Sequence, residues 1–89
     1  MNPKILIIGV GSIGERHLRC FQNTGRCDIM FCEVNDELRE SIADRYQIEH
    51  CFADLAAAVA DGPDAAVICT PADLHIPLAR ELATAAALL

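Results

Sequence analysis

The chain has 89 residues, of which 53% are hydrophobic, and a formal net charge of −6 at pH 7. This length allows one small domain and is short for a complete two-lobed enzyme. Because nucleic-acid binding needs clustered Lys and Arg, an acidic chain with scattered basic residues is predicted to have no nucleic-acid partner. No apolar run reaches the roughly 20 residues of a membrane span, so no membrane partner is predicted either.

The cysteines and the N-terminus indicate the compartment. The five cysteines form no C-x-x-C pair and lie in or beside apolar segments, at positions 20, 27, 32, 51 and 69. We interpret them as reduced core residues and predict neither disulfides nor a metal site. The N-terminal apolar stretch is interrupted by glycines and followed by Glu15-Arg16, unlike a secretion signal. A cytoplasmic protein is therefore predicted.

The first predicted strand, Lys4 to Ile8, runs directly into the motif Gly9-Val10-Gly11-Ser12-Ile13-Gly14. A helix is predicted from Ser12 to about Asn23, with Thr24-Gly25 as its stop signal. In such a unit the first glycine permits a tight turn, the second lets a pyrophosphate approach the backbone, and the third lets helix and strand pack closely. The amides of Ser12 and Ile13 are then predicted to face the phosphates of a dinucleotide. The alternative is a glycine-rich turn without a ligand.

The second predicted strand, Asp28 to Glu33, ends in an acid. Dinucleotide-binding motifs place an acid roughly 20 residues after the glycines, and Glu33 follows Gly14 at about that distance. We predict that its carboxylate accepts hydrogen bonds from the adenosine ribose hydroxyls and repels a 2′-phosphate. This favours NAD as the cofactor, whereas Asn35 and Arg39 close by leave NADP open. The alternative for Glu33 is a solvated acid at a strand end.

Two further helices and a short strand follow. The second helix is predicted to begin after Asn35 or Asp36, and it carries an apolar stripe at Leu38, Ile42 and Tyr46. A third strand is expected around Glu49 to Phe52. Asp54 is then expected to cap a short alanine-rich helix that ends before Asp61-Gly62-Pro63.

The fourth predicted strand is the continuous apolar run Ala65 to Cys69, typical of a strand buried on both faces. Thr70-Pro71 ends this strand, and a last helix begins at Asp73. Strict alternation of strands and helices predicts an α/β fold with an open parallel sheet, strand order 3-2-1-4 and helices on both faces. The ligand crevice is expected above strands one and four, where the winding direction reverses.

Three segments carry a resemblance to a known family. They are Gly9 to Arg19, with Arg-His-Leu-Arg after the glycines; Phe31 to Asn35, with its acid; and Val67 to Pro71, with His75 four residues on. Together they resemble the glucose–fructose oxidoreductase / inositol dehydrogenase family of nicotinamide-dependent sugar oxidoreductases, whose members have a Rossmann-type domain. The resemblance implies that Thr70 and Pro71 line the cofactor. His75 is either part of that cofactor pocket or a packing residue, and no catalytic residue is assigned.

The resemblance also implies segments that residues 1–89 do not contain. Family members continue after the last helix with a turn, a fifth strand, a Glu-Lys-Pro motif with a catalytic lysine, and a substrate domain. Here residues 84–89, Thr-Ala-Ala-Ala-Leu-Leu, are the stretch that corresponds to the turn and fifth strand, and the sequence stops just before Glu-Lys-Pro would appear. We therefore expect residues 1–89 to be a truncated dinucleotide-binding domain, incomplete at its C-terminal side and inactive alone. We also expect self-association through an exposed sheet edge at strand four or through the apolar tail.

The leading functional hypothesis is therefore the NAD(P)-binding portion of an oxidoreductase that transfers hydride to or from a sugar or polyol. A non-catalytic NAD-sensing module, like the regulatory domains of potassium channels, is the competing hypothesis. A flavoprotein is disfavoured because a helix-type segment beginning at Ala53-Asp54-Leu55 links strands three and four. The flavoprotein families usually insert a β-meander at this place. A methyltransferase suits the three-glycine spacing less well.

Overall fold

A computed structural model describes residues 2–69 and the strand at 87–88. Thr70, Pro71, His75 and the helix predicted from Asp73 lie outside the described residues. Within them the chain forms five strands and three helices, in the order β1 (Lys4–Ile8), α1 (Ser12–Thr24), β2 (Asp28–Cys32), α2 (Asp36–Tyr46), β3 (Cys51–Phe52), α3 (Leu55–Ala60), β4 (Ala65–Ile68) and β5 (Ala87–Leu88). None of these helices is long and apolar enough to cross a membrane.

All described strands pair in parallel, in the order β3-β2-β1-β4-β5. The predicted order 3-2-1-4 is confirmed. Of the two alternatives predicted for the exposed edge, strand four or the tail, β4 is not the outer strand, because Ala65 and Ala66 pair with Ala87 and Leu88 of the tail. A fourth strand left alone would expose a row of unpaired backbone N–H and C=O groups, and β5 satisfies part of that row. The outermost described strand on this side is therefore β5.

The side chains of β1 and β2 point alternately to the two faces of the sheet, and each face is covered. On one face Ile7 and Phe31 pack with Leu18 of α1 and Ile42 of α2. On the other face lie Leu6, Ile8 and Met30, with Ala58 of α3. This alternation of buried residues is what a parallel strand needs when helices cover both sides. The predicted helices on both faces are confirmed.

Local signals set the helix boundaries. Asn35 is the N-cap of α2, since its Oδ1 accepts a hydrogen bond from the Leu38 N–H at 2.9 Å. Asp54 caps α3 in the same way, accepting from the Ala57 N–H at 2.8 Å. Helix α1 runs one residue further than predicted, to Thr24, before Gly25 ends it in the left-handed region with a φ of 65°.

Three strands are shorter than predicted. The third contains only Cys51 and Phe52, and at its start the Cys51 N–H donates to the Glu49 carbonyl at 3.1 Å in a local turn. The second and fourth end one residue early, at Cys32 and Ile68. Both ends lie beside the glycine turn, where the chain leaves the sheet.

The cysteines are free thiols, and their environments differ. Burial raises the pKa of the Cys32 thiol to about 11, and the carboxylates of Asp54 and Glu33 contribute to the rise. Cys20 is exposed on α1. Since the thiolate is the reactive form, Cys32 should have a roughly 100-fold smaller reactive fraction near pH 8 than a thiol of ordinary pKa.

Alkylation with iodoacetamide at pH 8, followed by peptide mass spectrometry, is expected to label Cys20 rapidly and leave Cys32 nearly unlabelled. In concentrated urea the two residues should react at similar rates, which provides the control. Equal labelling of Cys20 and Cys32 in the native chain would contradict the buried position of Cys32.

Candidate functional site

The glycine motif begins with a turn that only glycine adopts easily. Gly9 follows β1 directly and has a φ of 86°, in the left-handed region. Its N–H donates to the carbonyl of Cys32 at 2.8 Å, which holds the turn against the end of β2. The prediction that the first glycine permits a tight turn out of the strand is confirmed.

Gly14 lies where α1 crosses this turn. A Cβ built at Gly14 would overlap the carbonyl oxygen of Gly9 and would lie 3.4 Å from the Cβ of Cys69. Any side chain at this position would therefore push the helix away from the sheet. The prediction that the third glycine allows close packing of helix and strand is confirmed.

The N-terminus of α1 is open. Gly11 is its N-cap and supplies no side-chain cap, and a Cβ built there would meet no atom of the described residues within 4 Å. The first main-chain bond of the helix runs from the Glu15 N–H to the Gly11 carbonyl, at 2.8 Å. The N–H groups of Ser12, Ile13 and Gly14 precede that bond and have no helical acceptor. An uncapped helix N-terminus facing open space is suited to an anion.

The carboxylate of Glu33 is fixed at the rim of the same turn. Its Oε1 accepts from the Val10 N–H and its Oε2 from the Asn35 N–H, both at 3.0 Å. The Glu33 N–H extends the sheet by donating to the Phe52 carbonyl at 2.9 Å. The β1–β2 register pairs Ile8 with Cys32, so Gly9 and Glu33 leave the sheet at the same edge. Each carboxylate oxygen keeps a lone pair for a further donor.

The sequence did not predict the bond from Val10 to Glu33. The spacing of glycines and acid places them near one another but does not specify which main-chain group the acid binds. The parallel register of β1 and β2 is the signal that could have found it, because their carboxyl ends must meet.

Arg39, which the sequence placed near Glu33, makes contacts at this rim that the sequence did not predict. The Nη1 of Arg39 donates to the Glu33 carbonyl at 2.8 Å, and its Nη2 lies 2.5 Å from the Oδ1 of Asp36. The contact with Asp36 raises the pKa of the Arg39 guanidinium. The i, i+3 spacing of Asp36 and Arg39 on α2 is the sequence signal for this pair.

Helix α1 is fastened to α2 just beyond the glycine motif. The Oε2 of Glu15 accepts from the Tyr46 hydroxyl at 2.7 Å and from Nη1 of Arg45 at 2.5 Å. About two helical turns further along α1, the Gln22 side-chain amide donates to the Tyr46 carbonyl at 2.9 Å. These contacts fix the direction in which the open end of α1 points.

The Glu15 contacts predict a dependence of stability on pH. The hydrogen bond from Tyr46, followed by that from Arg45, holds the pKa of Glu15 below its ordinary value of 4.5. A carboxyl whose pKa is lower in the folded state stabilises the fold above its unfolded pKa. That contribution is lost as the pH falls from about 4.5 through the lowered folded value.

Urea unfolding between pH 3 and pH 7 should therefore show a steeper loss of stability at acid pH for the wild type than for Glu15→Gln. Glu37→Gln is the matched control, because Glu37 is an exposed acid of α2. The wild-type slope should persist in that control. Identical slopes for Glu15→Gln and the wild type would refute the coupling.

A cavity in the described part of the chain lies away from the glycine turn. It measures about 490 Å³ and is lined by residues at the amino ends of β1 and β2, including Lys4, Asp28 and His50. Ligands of open parallel sheets bind at the carboxyl ends of the strands. We therefore assign the site to the glycine turn rather than to the cavity at the opposite edge.

The carboxyl end of β4 completes the surroundings of the turn. The Cys69 N–H donates to the Ile8 carbonyl at 2.8 Å, so β4 ends beside the glycines as the topology predicts. The described site residues Gly9, Gly11, Ser12, Ile13, Gly14 and Glu33 meet at this edge. Thr70, Pro71 and His75 follow β4 but lie outside the described residues, and their roles stay predictions.

A left-handed turn after β1, an open helix N-terminus and an acid after β2, on a parallel sheet of this order, define a dinucleotide-binding Rossmann domain. Residues 3–87 match the oxidoreductase family with an NAD-binding Rossmann fold, GFO_IDH_MocA. The chain belongs to this family. The resemblance drawn from the three sequence segments is confirmed, and the family description agrees with NAD as the cofactor.

Individual relatives agree with this assignment. Over 74 residues the chain is 32% identical to 4-carboxy-2-hydroxymuconate-6-semialdehyde dehydrogenase of Sphingobium sp., which covers 81% of this chain and 24% of that protein. The WlbA dehydrogenase of Bordetella pertussis, solved with NADH and UDP-GlcNAcA, superposes with a TM-score of 0.82 at 27% identity, covering 96% of this chain and 27% of that one. A Gfo/Idh/MocA family oxidoreductase of Vibrio cholerae gives 0.85 at 26% identity, covering 91% and 26%. The chain thus spans about a quarter of the length of these relatives.

Proposed function

We propose that residues 1–89 bind NAD as the dinucleotide-binding domain of an oxidoreductase that acts on the CH–OH group of a sugar or polyol. The observation that carries the proposal is the uncapped N-terminus of α1, which faces open space at Gly11 beside the fixed Glu33 carboxylate. The uncapped helix N-terminus suits a phosphate, and the Glu33 carboxylate suits the hydroxyls of an adenosine ribose. Bound NAD would supply the hydride chemistry, and the protein would position it.

Each part of the glycine turn has a separate role in this proposal. The N–H groups of Ser12 and Ile13 donate to the pyrophosphate, and Gly11 leaves room for it because it has no Cβ. The side chain of Ile13 is 64% exposed and would cover part of the nucleotide. The free lone pairs of Glu33 would accept from the ribose hydroxyls. We assign Thr70, Pro71 and His75 to the lining of the same pocket on the strength of the family resemblance.

The sugar or polyol substrate also rests on the family. The WlbA structure contains the sugar nucleotide UDP-GlcNAcA, which supports a carbohydrate substrate, although the Sphingobium relative is named for a semialdehyde. We propose that residues 1–89 alone catalyse no turnover. Their single lysine, Lys4, lies at the amino end of β1, opposite the glycine turn, and cannot act at the cofactor. The NAD-sensing module is not favoured, because the family is one of oxidoreductases.

Self-association and location belong to the same proposal. The outer backbone edge of β5 would offer a pairing surface for a second copy, and gel filtration should then show a concentration-dependent dimer. The free cysteines, including buried Cys32, suit the reducing cytoplasm.

Calorimetric titration with NAD tests the proposal. The wild-type chain should bind NAD with a Kd below about 1 mM, within the usual range for such ligands, and Gly11→Ala should weaken binding at least tenfold. Cys20→Ser changes an exposed residue of α1 away from the glycine turn and should bind like the wild type. Absence of binding heat at millimolar NAD, or equal affinity in Gly11→Ala, would overturn the assignment.

A further inference from the structure

The proposed function does not explain why Arg39, beside Glu33, is bound to Asp36. Arg39 is a cation close to the acid that would bind the ribose, yet its side chain is only 18% exposed and is engaged at both ends of its guanidinium. One end donates to the Glu33 carbonyl, and the other to Asp36. Asp36 itself is 79% exposed, so solvent would satisfy it without Arg39.

A free guanidinium at this place would have a different consequence. The 2′-phosphate distinguishes NADP from NAD and would lie next to the 2′-hydroxyl that Glu33 accepts from. In dinucleotide-binding domains a nearby Arg accommodates that phosphate. Guanidinium binds phosphate strongly because its N–H groups can donate in pairs. In Arg39 the Nη1 side already donates to the Glu33 carbonyl and the Nη2 side to Asp36, which hinders paired donation to a phosphate.

We propose that Asp36 is a cofactor-specificity residue that holds the Arg39 guanidinium away from a 2′-phosphate and thereby keeps the site selective for NAD. This inference rests on the proposed function, in which Glu33 binds the adenosine ribose. Asp36 acts here through Arg39, so it is a positioning residue rather than a ligand of the cofactor.

One substitution should be enough to break the ion pair between Asp36 and Arg39. Exposed ion pairs between neighbouring helical residues contribute little to stability, so breaking this pair should leave α2 folded. Asp36→Asn should consequently strengthen NADP binding about two- to fivefold, the size expected from the loss of one ion pair whose acid is exposed. NAD carries no 2′-phosphate, and its Kd should change less than twofold.

Removing Asp36 has two effects: it releases the Arg39 guanidinium, and it reduces the general repulsion of a phosphate by one negative charge. A matched variant separates these effects. Glu37 is the neighbouring exposed acid in the first turn of α2. Within the described residues it has neither a hydrogen bond nor an ion pair to Arg39. Glu37→Gln removes the same charge without releasing the guanidinium.

The experiment measures the Kd of NAD and of NADP by calorimetry for the 89-residue wild type, Asp36→Asn, Glu37→Gln, Arg39→Gln and the double variant Asp36→Asn/Arg39→Gln. Circular dichroism melts check that each variant is folded. The proposal expects the ratio of NADP to NAD affinity to rise in Asp36→Asn beyond any rise in Glu37→Gln. It also expects Arg39→Gln to cancel that extra rise in the double variant.

Two results would overturn the inference while leaving the proposed function intact. In the first, the wild type binds NAD, and the ratio of NADP to NAD affinity is equal in Asp36→Asn and Glu37→Gln. The loss of a negative charge would then explain the whole effect. The other is a gain that survives Arg39→Gln in the double variant. A folded wild type that binds neither dinucleotide would overturn the proposed function together with the inference.

Discussion

Replacing Gly14 by alanine is expected to destabilise the fold by about 3 kcal/mol or more. The added Cβ would overlap the carbonyl oxygen of Gly9. Both groups belong to the backbone, so no change of side-chain rotamer can relieve the overlap. Gly9 is held in turn by its bond to Cys32, and movement of α1 would uncover the Leu18 contacts on the sheet.

Gly11→Ala is the matched control for this prediction. Its Cβ meets no atom of the described residues within 4 Å, and Gly11 has a φ of −64°, which alanine adopts without strain. Loss of the glycine N-cap should cost less than about 1 kcal/mol. Urea unfolding followed by circular dichroism should therefore find Gly14→Ala far less stable than Gly11→Ala. Similar midpoints for the two variants would show that α1 does not pack as closely as described.

The parts of the fold that could be predicted are those with a local signal. Asn35 and Asp54 are N-caps because their side chains bind an amide three residues on, a spacing visible in the sequence. The apolar composition of the run Ala65 to Cys69 indicated a strand covered on both faces, and the strand forms over Ala65–Ile68. The glycine motif predicted a turn and a close helix crossing because glycine adopts a positive φ most easily and has no Cβ at the crossing.

Contacts between distant segments were not predictable in the same way. The pairing of Ala87 with Ala65 joins distant residues, and a two-residue strand carries too little sequence pattern to predict it. The bond from Val10 to Glu33 requires the register of β1 and β2 as well as the motif. The engagement of Arg39 depends on where the Glu33 carbonyl points after the strand ends. In each case geometry, rather than residue type, decides the partner.

Substituting Glu33 by alanine is expected to affect both stability and cofactor binding. Val10 is fully buried, and its N–H would lose the acceptor at 3.0 Å. Leaving a buried donor without a partner costs about 1–3 kcal/mol. Under the proposed function, loss of the acceptor for the ribose hydroxyls should also weaken NAD binding at least about tenfold, as expected for a hydrogen bond to a charged group.

Glu33→Gln and Asp28→Asn separate these effects. Glutamine keeps one acceptor oxygen for Val10 or Asn35, so Glu33→Gln should retain more stability than Glu33→Ala while losing the charge that repels a 2′-phosphate. Its preference for NAD over NADP should shrink accordingly. Asp28→Asn removes an exposed charge at the opposite end of β2 and should alter neither property. Unfolding midpoints together with calorimetric Kd values for both dinucleotides measure this. An unchanged preference in Glu33→Gln would remove the acid from cofactor selection, and its carboxylate would then serve only to fasten the glycine turn to β2.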